Sequence, residues 1–354
     1  MAASSSSTRT TAAARVIARW VIAGCLAALT FEFVLRPIYS IAMTTDPQFG
    51  PIIAPGTSVS WALEGWGHSS WAAKGVRQEA ANPARPSVLV IGDSQTEALM
   101  VDDASVFTAV VERRLQASNP TVQVLNAGKS SHSVADYIAL APDYIAAFSP
   151  RWTVIQVRDS DFGSDAFQDA KRHFQRTDAG LTVVNVAEPA RTGLRGLLWS
   201  ARQRSSFVGY SAVRLGKFRA AAAQEPPLFN ASQAKQHNGP TGESAEVAGS
   251  FPLDAEFDLL TSAWGGRLTI LYLPELDPKH PETVSSVGAW LAGRCRDQGV
   301  SFVSLAATFP AFLAEGRSPY GFINTRFNEG HMNVEGHAAA ARLLADELER
   351  RGVP

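Results

Sequence analysis

Cysteine is scarce in this chain. Cys25 and Cys295 are the only two, too few for a disulfide framework, so the fold must hold by packing alone. Cys25 lies in an apolar stretch near the N-terminus and Cys295 in a helical pattern, which reads as two unpaired thiols. An excess of charge of either sign is also missing. Lys and Arg number 32 against 33 Asp and Glu, a net −1, and that balance excludes an overall nucleic-acid binder. The seven histidines show no close ligand spacing. No metal site follows from them and no cofactor is expected. No internal repeat is visible. Hydrophobic residues make up 45% of the 354, enough for a full core. That length accommodates one substantial α/β domain with an anchor, or two small domains.

Residues 1–14 are mostly Ala, Ser and Thr and read as a disordered tail. Arg15 and Arg19 then precede an apolar run from Trp20 to Leu35, broken by Thr30 and Glu32, and a second apolar piece follows from Ile38 to Met43. A bilayer core needs about 20 helical residues. Snorkelling by Arg19 and Arg36 extends the run, and Arg36, one turn after Glu32, can pair with it near an interface. Residues 15–43 are therefore expected as one transmembrane helix, with contacts to membrane lipid. The arginines before it place the N-terminus in the cytoplasm and the remainder outside the inner membrane, as a single-pass protein. Two alternatives stand beside this. A cleaved signal peptide would need a small-x-small site, and none is convincing. Ile22-Ala23-Gly24-Cys25 looks like a lipobox, but a strongly apolar stretch follows the cysteine.

Residues 44–86, rich in Pro, Gly, Ser and Trp, read as a linker and approach segment, with a strand or hairpin around Ser58 to Leu63. The alternating pattern proper spans residues 87–352. Strands are expected at 87–91, 122–125, 152–157, 268–273 and 302–305, and helices at about 104–117, 134–148, 282–298 and 334–351. Strands alternating with helices imply a mainly parallel five-stranded sheet covered on both faces, with the active site at the carboxyl ends of its strands. Residues 163–265 interrupt this rhythm as an insertion. It holds a strand at 181–186, a helical, Arg-rich stretch at 191–220, and an aperiodic 221–250 expected as a mobile loop. About ten Lys and Arg lie between 171 and 219. They suit a solvated helix face, or else anionic glycan or lipid headgroups.

The first strand ends in Gly92-Asp93-Ser94 and a helix follows. A serine at such a bend has an exposed oxygen and a free N–H, which suits a nucleophile whose attack creates an oxyanion. The plain alternative is a helix cap. Three blocks now align with a known family. IGDSQTEALMV resembles the first block of membrane-anchored SGNH (GDSL-like) hydrolases, LNAGKSSHS the second, and FNEGHMNVEGH the last. Gly75-Val76-Arg77 resembles a G-x-R element upstream of the nucleophile strand. The likeness covers roughly residues 55–160 and 265–350. It implies the flavodoxin-like three-layer α/β/α SGNH fold, with Ser94 as nucleophile and His331 as its base. Ser94, Gly128 and the third block would provide the oxyanion donors.

Two positions depart from the pattern. The third block should read G-x-N-D, and here it is Arg158-Asp159-Ser160-Asp161, with Ser160 at the donor position. In the last block Asn328 stands where an Asp should orient the histidine. An Asn can accept from imidazole but cannot stabilise imidazolium by charge. Asp93, Asp161 and Glu329 are the acidic residues nearest in sequence that could support the site. His331 also admits a structural reading as a helix cap, His337 reads as packing, and His132 as either pocket lining or surface loop. The resemblance implies an ester-bond hydrolase or O-acyltransferase, most plausibly for acetyl groups, acting on an extracytoplasmic polysaccharide or acylated glycan. The alternative is a catalytically impaired member that binds glycan or scaffolds a polysaccharide-synthesis complex, which the changes at Ser160 and Asn328 favour.

Overall fold

The computed structural model describes residues 5–78, 80–162, 172–177, 180–185, 193–222, 253–276, 285–326 and 328–353. Five strands form the central sheet: β6 (Ser87–Ile91), β7 (Gln123–Asn126), β8 (Trp152–Val157), β11 (Leu268–Tyr272) and β12 (Ser301–Ser304). Their order across the sheet is β12-β11-β8-β6-β7, and every pairing is parallel. This is the flavodoxin-like order. Its crevice opens where the winding reverses, between β6 and β8. Ser94 follows β6 and Arg158 follows β8, so both stand at that switch point.

Strand alternation divides the core into two layers. Val88 and Val90 face one side with Phe107, Val111 and Leu344. These come from α3 (Phe107–Gln116) and α10 (Val334–Arg350). Leu89 and Ile91 face the other side with Tyr137, Phe257, Leu260 and Leu291, supplied by α4 (Val134–Phe148), α7 (Leu253–Trp264) and α8 (Ser286–Asp297). Helix α4 begins where the Asp136 carboxylate accepts from the Ser133 N–H at 2.8 Å. It ends at Ser149, whose left-handed backbone precedes Pro150, a residue that cannot continue a helix.

The long N-terminal helix α1 (Ser5–Leu35) contains an apolar span, Ala14–Leu35, of 22 residues. At 1.5 Å per residue it reaches about 33 Å, enough to cross a bilayer's hydrocarbon core. Composition and length are all that mark it as a candidate span, and a signal sequence would look the same. The expected single helix through Met43 is corrected. It stops at Leu35, because Arg36 precedes Pro37 and that junction disfavours helix. Ile38 to Met43 instead leads into sheet structure.

The approach segment is more structured than its composition suggests. Strands β1 (Tyr39–Ser40), β4 (Ser58–Trp61) and β5 (Gly67–Ser70) form a small antiparallel sheet, and β2 (Met43–Asp46) pairs with β3 (Gly50–Ile53). Further on, β9 (Arg172–Thr177) and β10 (Gly180–Asn185) make a hairpin. Helices α5 (Gly193–Arg204) and α6 (Ser206–Ala222) follow. The loop expected at 221–250 lies, beyond Ala222, outside the described residues.

Candidate active site

The nucleophile turn is built by close backbone contact. The Asp93 carboxylate caps the short helix α2 (Ser94–Glu97), accepting from Gln95 N–H at 2.8 Å. Arg77, almost fully buried, clamps the far end of α2. It donates to the carbonyls of Glu97 (2.8 Å), Ala98 (2.6 Å) and Val101 (2.6 Å), while its Nε meets Asp103 at 2.8 Å. A cation at a helix carboxyl end satisfies carbonyls that have no intrahelical partner. The G-x-R element is thus a brace for the turn that presents Ser94. Gly128 packs directly beneath it. A Cβ there would lie 2.3 Å from Glu97 N and 2.6 Å from the Thr96 carbonyl carbon.

Ser94 and His331 meet as expected. Ser94 Oγ lies 2.9 Å from His331 Nε2. The third member is Glu64, not Asn328. Glu64 Oε2 is 2.7 Å from His331 Nδ1, and its Oε1 accepts the His331 backbone N–H at 2.8 Å. One carboxylate therefore fixes both the ring and the backbone of the histidine. Gly330 makes this approach possible: its φ is +87°, and a Cβ on it would sit 2.3 Å from Glu64 Oε1. Asn324 ties the two loops together, accepting from Gly65 N–H at 2.8 Å and donating to the carbonyls of Ala62 and Gly65. Just after His331, Asn333 caps α10 through Glu335 N–H and Gly336 N–H and donates to the carbonyls of Ser318 and Gly321.

The expectation for Asn328 is therefore corrected. Its Oδ1 accepts from Ser318 at 3.2 Å and its Nδ2 has no partner among the described residues, while the ring nitrogen it was expected to orient is held by Glu64. Glu329 is likewise turned away, exposed and 3.5 Å from Arg326. No signal in the last block points to Glu64, which lies 267 residues from its histidine. The one hint is local: a lone carboxylate among Trp61-Ala62-Leu63 and Gly65-Trp66.

The oxyanion donors also need revision. Ser94 N–H has no partner among the described residues and is ready to receive a developing oxyanion. Gly128 N–H is already donated to Asn126 Oδ1 at 3.0 Å, so its contribution here is the close approach. Ser160 Oγ donates to Glu275 at 2.6 Å instead of toward the nucleophile. The third block is instead a buried charge cluster. Arg158 reaches Glu275 at 3.2 Å and Asp93 at 3.9 Å. Burial opposes its charge, but Glu275 and Asp93 outweigh burial and hold its pKa above the ordinary value. Asp161 accepts from Arg158 N–H at 2.9 Å. Burial, then the neighbouring Asp93, pushes its pKa well up, and burial raises that of Asp93 as well. Asp93 and Asp161 therefore support the turn and the third block.

His337 and His132 are both buried. His337 stacks on Phe107 with ring centroids 5.8 Å apart, and burial lowers its pKa to about 3, so it packs as a neutral ring. His132 Nε2 has no partner among the described residues, and burial pushes its pKa well down.

No protein-family model matches this chain, and no curated protein matches it. Solved structures do. An acetylxylan esterase from Geobacillus stearothermophilus aligns at 16% identity over 77% of this chain and 96% of its own, with a TM-score of 0.41. TesA aligns at 14% identity over 75% and 98%, with a TM-score of 0.38. A lipolytic protein of the G-D-S-L family from Desulfitobacterium hafniense aligns at 13% over 74% and 99%, with a TM-score of 0.34. At such scores the chemistry has to be read from the side chains themselves.

Proposed function

We propose that this chain is a membrane-anchored serine esterase or O-acyltransferase, probing ester bonds through a Ser94 acyl-enzyme, with an acetylated extracytoplasmic polysaccharide as substrate. The observation that supports it is the unbroken relay from Ser94 through His331 to Glu64. Ser94 Oγ attacks the acyl carbonyl as His331 Nε2 takes its proton. Glu64 stabilises the imidazolium through Nδ1–H, and the Ser94 N–H faces the oxyanion. Collapse expels the sugar alkoxide, which receives the proton from His331 and leaves the acyl group on Ser94. His331 then removes a proton from water to complete hydrolysis, or from a second sugar hydroxyl to complete transfer.

Glu64 removes one of the two reasons for reading the chain as an impaired binder or scaffold, since the histidine has a charged partner after all. The candidate span and the arginines before it support an inner-membrane anchor, with the domain outside the cytoplasm. The test is acetate release from an acetylated polysaccharide by the purified full chain, with Ser94→Ala as control. Release that Ser94→Ala abolishes is the expected result. Release unchanged in Ser94→Ala, or no acetate from the folded wild type, would refute the proposal.

A further inference from the structure

The helical pair α5–α6 is built onto the end of the apolar helix. Glu32, the one acidic residue of the Ala14–Leu35 span, accepts from Ser206 N–H and Phe207 N–H, each at 3.0 Å, and from Ser205 Oγ at 2.7 Å. A carboxylate at these free N–H groups satisfies the amino end of α6. Phe31 stacks on Phe207 with centroids 5.9 Å apart, and Tyr39 meets Tyr210 at 6.4 Å. The Tyr39 ring also lies against Gly209, where a Cβ would sit 2.7 Å from it. Gln203 accepts from Met43 N–H at 3.0 Å. These contacts fasten the α5–α6 junction within the last turn of α1, where a spanning helix would leave the bilayer.

The outward side of α5 is apolar. Leu194, Leu197 and Leu198, at the spacing of one helix face, are 73%, 67% and 56% exposed. Leu215 on α6 is also exposed. From Gly193 to Ala222 there is no Asp or Glu, while Arg195, Arg202, Arg204, Arg214, Lys217 and Arg219 are all basic. Arg202, Arg204 and Arg214 are exposed. A leucine face among exposed cations, with no anions, is the composition of a helix lying in a headgroup layer. Phe31 and Phe207, both exposed and stacked on each other, join the apolar surface of the span to that of the helical pair.

We propose that α5–α6 is a membrane-resting platform: the leucine face of α5 enters the headgroup region of a bilayer rich in anionic phospholipid, and the arginines bind its phosphates. This rests on the reading of α1 as a membrane anchor. The consequence is orientational, since a domain held at both α1 and α5 cannot swing freely about the short connection at Arg36-Pro37.

Photo-crosslinking separates the two readings. The full chain is reconstituted in phosphatidylglycerol–phosphatidylethanolamine vesicles with p-benzoylphenylalanine at Leu197 or, separately, at Leu26 on α1. Lipid adducts at both positions are expected. The Leu197 adduct should fall several-fold in Arg202→Glu/Arg204→Glu protein, or in phosphatidylcholine vesicles, while the Leu26 adduct stays. Lipid adducts at Leu26 without any at Leu197 would overturn the platform and leave the anchor standing. A Leu197 adduct to a second copy of the chain would also overturn it. No lipid adduct at either position would remove the anchor and the platform together.

Discussion

Replacing Glu64 by Gln preserves size and shape at the site while removing the charge that faces His331. The carboxylate oxygen lies 2.7 Å from Nδ1, which places the two charge centres about 4 Å apart in the imidazolium state. At an effective dielectric constant near 20 their attraction is about 4 kcal/mol, equivalent to about a thousandfold in rate. The Glu64 side chain is 17% exposed, and solvent screening trims that figure. A Gln also offers an N–H to Nδ1 and favours the wrong tautomer, an effect worth about 10⁴ in a serine-protease triad. Glu64→Gln is therefore expected to lower kcat/KM on p-nitrophenyl acetate by about 10² to 10⁴, with the thermal midpoint little changed. A variant within about threefold of wild type, with the fold intact, would refute the assignment of Glu64 and the mechanism that depends on it.

Other changes follow from the same geometry. Asn328→Asp should not raise activity on that ester, because its side chain faces Ser318 and not His331; a tenfold gain would show that the last block supplies the orienting acid after all. Gly330→Ala should lower both stability and turnover, since a Cβ there collides with the Glu64 carboxylate in a backbone conformation with φ +87°. Chemical denaturation with an activity assay checks it, and a neutral result would mean that the loop yields at no cost. His337, with a pKa lowered from 6.5 to about 3 by burial, makes the fold sensitive to acid. Below pH 6.5 the unfolded chain binds a proton that the folded chain refuses, so this contribution is fully present above 6.5 and is lost as pH falls toward 3. Denaturation between pH 7 and 4 should show a shallower loss for His337→Gln than for wild type. Equal slopes would contradict a neutral, buried His337.

How much of this was legible in the sequence differs from residue to residue. The sheet was, because β6, β8 and β11 are nearly continuous apolar runs of the kind a doubly covered parallel strand needs. Ser94 and His331 were, because each sits at an element boundary with an unusual local motif. Glu64 was not. It comes from a segment without periodicity, and its role exists only once the loop held by Asn324 brings it to Gly330. Ser160 was misassigned for a related reason. A hydroxyl has one proton to give, and Glu275, from the far side of the insertion, takes it. Glu32 looked like a charge to be neutralised by Arg36, and that contact is present at 3.4 Å. Its stronger partners belong to α6, whose position no local pattern could announce.

The activation of Ser94 as a nucleophile can be tested directly. A fluorophosphonate probe reacts with a serine whose hydroxyl is deprotonated by an adjacent base, and peptide mass spectrometry locates the adduct. A single adduct on Ser94 is expected in the full chain, sharply slowed in Glu64→Gln and absent in His331→Ala. A folded wild-type protein that leaves Ser94 unmodified, or labels equally well without His331, would contradict it.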